Sequence, residues 1–221
     1  MAAKLRAAYL APPFPADRPM RKAYLLTLLV ALPVVASLPT FFAWIEQRPG
    51  GLPPEPLLDH LPTMDLSVPL FVLLYATIVY GLLRLVRSPE LLLRGLQAYV
   101  ALLVLRMLTM WSWTLEPPPG LVDLADPVTQ LFYPGATPFR KDLFFSGHTA
   151  TLVLLALAMP TVRDRLLVAI AAALVGLAVL VQHVHWTVDV LAAPLFAAGA
   201  WWCSAYTLRG SLRRPTSGAD A

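Results

Sequence analysis

The sequence predicts an all-α fold, a polytopic membrane bundle of six transmembrane helices. Three observations carry that expectation. The chain is 58% hydrophobic and only 14% charged, where a soluble domain carries roughly a quarter of charged residues. Its mean hydropathy is +0.66. Its apolar residues fall into six runs, 23–45, 65–86, 91–115, 143–160, 165–182 and 186–208. A bilayer-crossing helix needs about 20 such residues, so 221 residues hold six spans and little else.

The first run follows Arg21 and Lys22 and is too long and too far in for a signal-peptide core, so it reads as a retained span. Residues 46–64 form a Pro- and Gly-rich loop, and residues 116–142 form a second, opening with Glu116-Pro117-Pro118-Pro119-Gly120. Proline cannot donate a backbone hydrogen bond, which puts both stretches in water or at the interface. The expected organisation is a cytoplasmic tail 1–22, one six-helix membrane domain 23–208 and a disordered cytoplasmic tail 209–221, with no separate soluble domain and no repeat. The one cysteine, Cys203, lies in an apolar run, which excludes an intrachain disulfide.

The net charge of +4 reflects topology rather than nucleic-acid binding. With the N-terminus inside, thirteen of the seventeen Lys and Arg residues fall on the cytoplasmic side, Arg48, Arg140 and Lys141 fall outside, and Arg106 lies within a span. This bias predicts both termini in the cytoplasm, with a bacterial inner membrane as the expected location.

That topology gathers unusual polar residues in the outer part of the membrane. His185 and Asp189 are four apart, on one helix face, where a carboxylate can orient an imidazole. Ser146-Gly147-His148-Thr149 opens the fourth run. A helix start offers free N–H groups to a phosphate, Gly147 lets backbone approach a ligand, Ser146 and Thr149 add hydroxyls, and His148 can protonate a leaving oxygen. The bland alternative is an N-cap serine with a buried histidine. Arg106 sits alone in an apolar span, at a cost on the order of 3 kcal/mol on insertion scales, and phosphate is a natural bidentate partner. Arg140, Lys141 and Asp142 precede the fourth run, where a phosphate pocket or ordinary solvated loop charges would explain the two cations. His183 is out of phase with His185 and reads as structural. His148, His185 and Asp189 could supply three zinc ligands, but no H-x-x-x-H or H-E-x-x-H spacing occurs. The expectation is metal-free, cofactor-free chemistry.

Three stretches resemble the PAP2 superfamily of membrane phosphoesterases, and within it the sphingomyelin synthase-like branch. Arg106-Met107-Leu108-Thr109-Met110, with Pro117-Pro118-Pro119-Gly120 after it, is similar to that branch's R-x-x-T-M motif. Asp142-Leu143-Phe144-Phe145-Ser146-Gly147-His148-Thr149 is similar to D-x-x-F-S-G-H-T, and His185-Trp186-Thr187-Val188-Asp189-Val190 to H-Y-T-x-D-V with Trp for Tyr. The likeness covers about 105–194, and it implies a PAP2-like bundle with its site on the non-cytoplasmic side. It implies that His185 attacks phosphorus, Asp189 orients it and His148 protonates the departing alkoxide. Arg106, Lys141, Asp142, Ser146, Gly147 and Thr149 would bind substrate. It further implies a phospholipid donor with a lipid-alcohol acceptor or, in the hydrolytic alternative, a lipid phosphate and water. The chain departs from the broader phosphatase pattern, which has an Arg six residues before the second His and a K-x6-R-P motif. Ala178 and Val179 stand at the S-R positions, leaving Arg106 and Lys141 as the expected phosphate ligands. The rival class, a non-catalytic membrane protein, predicts no convergence of His148, His185 and Asp189.

Overall fold

The computed structural model describes residues 18–124, 126 and 139–212. Six α-helices occupy the six apolar runs: α1 (Arg18–Glu46), α2 (Ser67–Leu85), α3 (Pro89–Ser112), α4 (Gly147–Ala158), α5 (Val162–Val181) and α6 (Thr187–Leu212). A 3-10 turn, Leu58–His60, interrupts the first long loop and leaves His60 exposed. Among the described residues, five helices are long and apolar enough to cross a membrane. The expectation of six like spans meets a difference at α4, which has 12 residues. It rises about 18 Å, short of the roughly 30 Å hydrocarbon layer. Its N-terminus waits until Ser146, because Leu143, Phe144 and Phe145 run as non-helical chain.

Helix ends follow local chemistry. Pro89 occupies the first turn of α3, where its missing N–H is harmless. Thr161 caps α5 by accepting from Asp164 N at 3.1 Å, and Ser146 caps α4 by accepting from Thr149 N at 3.5 Å. Helix α1 starts at Arg18, within the expected N-terminal tail, and α6 runs on to Leu212, into the expected C-terminal one. Residues 1–17 and 213–221 lie outside the described residues.

The short helix α4 stands at the centre and serves two cores. One joins Leu70, Phe71 and Leu74 of α2 to Leu152 of α4 and Ala172, Val175 and Val179 of α5. The other joins Ala98 and Leu102 of α3 to Ala150 and Leu154 of α4 and to Ala193, Ala197 and Ala200 of α6. The alanine stripe of α6 is fully buried, and small side chains let these helices approach closely. Helix α1 packs against α3 and α6 from outside and keeps most of its leucines and valines exposed, as a lipid-facing helix would.

Candidate active site

The chain reverses between α5 and α6 through a helix-terminating turn built on His183. His183 N donates to Leu180 O at 2.9 Å and Val184 N to Val179 O at 3.1 Å, the paired bonds of a Schellman motif. His183 sits at its left-handed position, with φ +56° where glycine is usual. Its Nδ1 lies 3.0 Å from Pro119 O. This turn delivers His185 to the mouth of α6.

His185 and Asp189 meet as their spacing predicts. His185 Nδ1 is 3.2 Å from Asp189 Oδ2, which also accepts from Trp186 N at 2.9 Å. Both side chains are buried. Among the described residues the ring is engaged at Nδ1, which turns Nε2 to the other side of the imidazole. The second histidine, His148, stands one residue into α4, its ring centroid 6.2 Å from that of His185 at an angle of 68°. Phe71 also lies edge-on to His148, at 5.9 Å. The two helix starts are stitched together by Ser146 N, which donates to Asp189 O at 3.1 Å. Among the described residues, His148 Nδ1 and Asp189 Oδ1 are buried with no hydrogen-bond partner, a cost that buried polar atoms rarely carry without a role.

The R-x-x-T stretch has a clear physical task. Arg106 and Thr109 are one turn apart on α3 and face the chain that leads into α4. Arg106 Nε donates to Phe145 O at 2.9 Å, Arg106 Nη2 to Asp142 O at 3.2 Å, and Thr109 Oγ1 to Phe144 O at 3.0 Å. Arg106 Nη2 also lies 2.6 Å from Asp142 Oδ1, an ion pair by distance that is not aligned as a hydrogen bond. Arg106 therefore brackets the turn before His148. Gly147 is required here, because a Cβ would come within 2.7 Å of the guanidinium. Phe145, fully buried, completes the bracket by stacking on Phe196 of α6 at 4.3 Å.

The remaining residues expected to bind substrate divide. Asp142, Gly147 and Arg106 border the cavity at His148. Ser146 and Thr149 are buried against each other, Ser146 Oγ donating to Thr149 Oγ1 at 3.1 Å, and they form the helix cap. Lys141 points to the first loop. Its Nζ donates to Arg48 O at 2.7 Å and to Glu116 Oε1 at 2.8 Å, and this bond holds the Glu116 carboxyl below its usual range. Its neighbour Arg140 pairs with Asp123 instead, and Arg140, Asp123 and Asp142 line a small cavity of about 60 Å³ with His148 and His185.

Two residues escaped the sequence reading. Glu55 Oε2 accepts from Thr187 N at 3.0 Å and Glu55 Oε1 from Thr187 Oγ1 at 2.7 Å, so a carboxylate 132 residues away caps the helix that carries His185. Burial pushes its pKa up, but the bonds from Thr187, Leu57 and Leu58 outweigh this and hold it low. Glu116 contributes its carbonyl, which accepts from Trp186 Nε1 at 2.8 Å. Neither has a local sequence signal, since both act across loops.

A second, larger cavity of about 220 Å³ also opens on His148 and is walled by Leu74, Ile78, Tyr99, Leu102 and Leu103. A third, of about 300 Å³, shares Ile78, Tyr99 and Thr151 with it and continues between α2, α3 and α4 to Leu85 and Leu92. Among the described residues no group of three or more His, Cys, Asp or Glu side chains is placed to hold a metal ion.

No curated protein matches the chain. Residues 141–206 match the family model described as PAP2 superfamily C-terminal, and the match stops at the superfamily without reaching a sphingomyelin synthase-like branch. The matched stretch contains His148, His185 and Asp189, so the segment that carries the candidate site is similar to the C-terminal part of the PAP2 superfamily.

Proposed function

We propose that the protein is a PAP2-type lipid phosphate phosphatase working through a phosphohistidine. One observation carries the reading: His148 stands where a polar cavity shared with His185, Arg140 and Asp142 meets an apolar groove between α2, α3 and α4. A ligand that fits both has a charged head and a hydrocarbon tail. The superfamily match supports lipid-phosphate processing in general.

The chemistry follows from the pair of rings. His185 Nε2 attacks phosphorus while Asp189 holds the proton on Nδ1 and stabilises the positive charge that the ring gains. The bond from phosphorus to the lipid oxygen breaks, and protonated His148 gives its proton to that oxygen. Water then attacks the phosphohistidine, His148 takes the water's proton, the P–N bond breaks and inorganic phosphate leaves. The covalent intermediate divides one difficult displacement into two easier ones. Gly147, Ser146 and Thr149 shape the start of α4 beside the phosphoryl group, and Arg106 and Asp142 hold that start in place. Lys141 secures the outer loops around it.

Head-group transfer is a second reading, favoured by the same groove. A lipid hydroxyl such as that of ceramide could arrive by the route the first lipid took and replace water at the phosphohistidine. The site would lie on the non-cytoplasmic side of a six-helix bundle with both termini inside, α4 being its short sixth member.

Purified protein in liposomes, offered phosphatidate, phosphatidylcholine or phosphatidylethanolamine with and without ceramide or diacylglycerol, tests this. The expected result is inorganic phosphate from phosphatidate, abolished by His185→Ala. A transferred head group in place of free phosphate would select the second reading. Wild-type turnover in His185→Ala, or no turnover of any lipid, would refute the mechanism.

A further inference from the structure

The active-site geometry leaves an incoming phosphate short of cations. Arg106 is committed to Phe145 O, Asp142 O and the Asp142 carboxylate. Lys141 is committed to Arg48 O and Glu116. Arg140 differs. It lines the same small cavity as His148 and His185, and Asp123 lines that cavity with it. Arg140 Nε donates to Asp123 Oδ1 at 2.8 Å and Nη2 to Asp123 Oδ2 at 2.6 Å, so both prongs of the fork hold one carboxylate. Planar bidentate capture of this kind is equally suited to two oxygens of a phosphate.

We propose that Arg140 is the phosphate-binding cation of the site and that Asp123 is its resting counter-ion, displaced when a phosphomonoester enters. The proposal rests on the phosphatase reading above and names the residue that holds its substrate. The pair is built to exchange. Its side chains are 54% and 40% exposed, and exposed ion pairs contribute little stability. The backbones beside it are fixed. Arg140 N and Lys141 N both donate to Glu46 Oε2, at 3.1 and 3.0 Å, and Val122 N donates to Gln182 O at 3.2 Å. Only the two side chains need to swing. A dianionic phosphomonoester replaces the carboxylate with more charge than a phosphodiester monoanion brings, so the exchange also favours monoesters.

The test uses the full chain in detergent, with inorganic phosphate as a binding probe followed by thermal shift and a short-chain phosphatidate as substrate. Arg140→Gln should raise the dissociation constant for phosphate and the KM about tenfold or more, with kcat changed far less. Arg140→Lys should fall between. Asp123→Asn should act in the opposite direction, tightening phosphate several-fold by freeing the fork, a sign that mere loss of structure would not produce. Wild-type phosphate affinity in Arg140→Gln, weaker affinity in Asp123→Asn, or no phosphate binding by any variant would overturn the proposal. Failure of the two readings separates cleanly. Phosphate binding that depends on Arg140 without hydrolysis would remove the phosphatase reading and keep this site. Hydrolysis that depends on His185 but ignores Arg140 would do the reverse.

Discussion

The two ends of the bundle are held by different means. At the end away from the histidines, side chains on neighbouring helices tie directly: Arg84 reaches Asp164 at 2.7 Å, Tyr80 OH donates to Asp164 at 2.6 Å, and the Arg94 guanidinium lies 3.8 Å above the Trp201 ring. The connections there are short, 86–88 and 159–161. At the histidine end the ties run between loops. Gly51 N donates to Thr114 O, Glu116 N to Gly51 O, Met64 N to Val181 O and Val122 N to Gln182 O, and Glu55 caps α6. The first end fixes how helices pack, and the second fixes where two imidazoles stand. Substitutions at the first should therefore cost stability, and substitutions at the second should cost rate.

The largest effects belong to the groups proposed to react. His185→Ala should remove turnover by at least about a thousandfold, and Asp189→Asn should follow at about a hundredfold or more, since it disturbs the tautomer that the ring needs. Both are read from phosphate release at saturating substrate. Next comes Gly147→Ala. Its new methyl would meet the Arg106 guanidinium at 2.7 Å and push apart the bracket before His148. Overpacking of this kind costs about 1–3 kcal/mol, and displacement of His148 should lower kcat roughly ten- to a hundredfold.

Glu55→Gln sharpens the comparison further. It keeps an acceptor for Thr187 but loses the charge at the start of α6, so kcat should fall a few-fold, roughly, with little change in Tm. Arg84→Gln at the opposite end should show the mirror image, a Tm lower by a few degrees, roughly, with KM unchanged. If Arg84→Gln changed rate and Glu55→Gln changed only stability, the division between the ends would be wrong. The smallest effect concerns acid. The hydrogen bond from Lys141 holds Glu116 below its ordinary 4.5. A carboxyl with a lowered folded pKa contributes stability that is full above pH 4.5 and fades as pH falls below it. Thermal melts between pH 6 and 3, roughly, should lose part of their acid dependence in Glu116→Gln.

What could be read from sequence was local. The i,i+4 spacing of His185 and Asp189 placed them on one helix face, and Ser146-Gly147-His148-Thr149 announced a helix start because capping chemistry lies within three residues. The six apolar runs located the helices, but they did not show that α4 starts late and is short. That depends on Arg106 and Thr109 holding the preceding carbonyls. The same contacts explain why Arg106, expected at phosphate, is engaged with protein. Arg140 and Lys141 illustrate the limit best. They are neighbours in non-helical chain, yet their side chains part. Lys141 goes to Glu116 and Arg140 to Asp123. Which of them borders the cavity at the histidines was decided by loops distant in sequence, as was the capping of α6 by Glu55.

The central claim is that His185 carries the phosphoryl group. Rapid quenching of the purified protein with phosphate-labelled phosphatidate, followed by peptide mapping, tests it most directly. An acid-labile, base-stable label is expected on the peptide containing His185, absent from His185→Ala. Hydrolysis with no labelled protein, or a label that persists in His185→Ala, would contradict it.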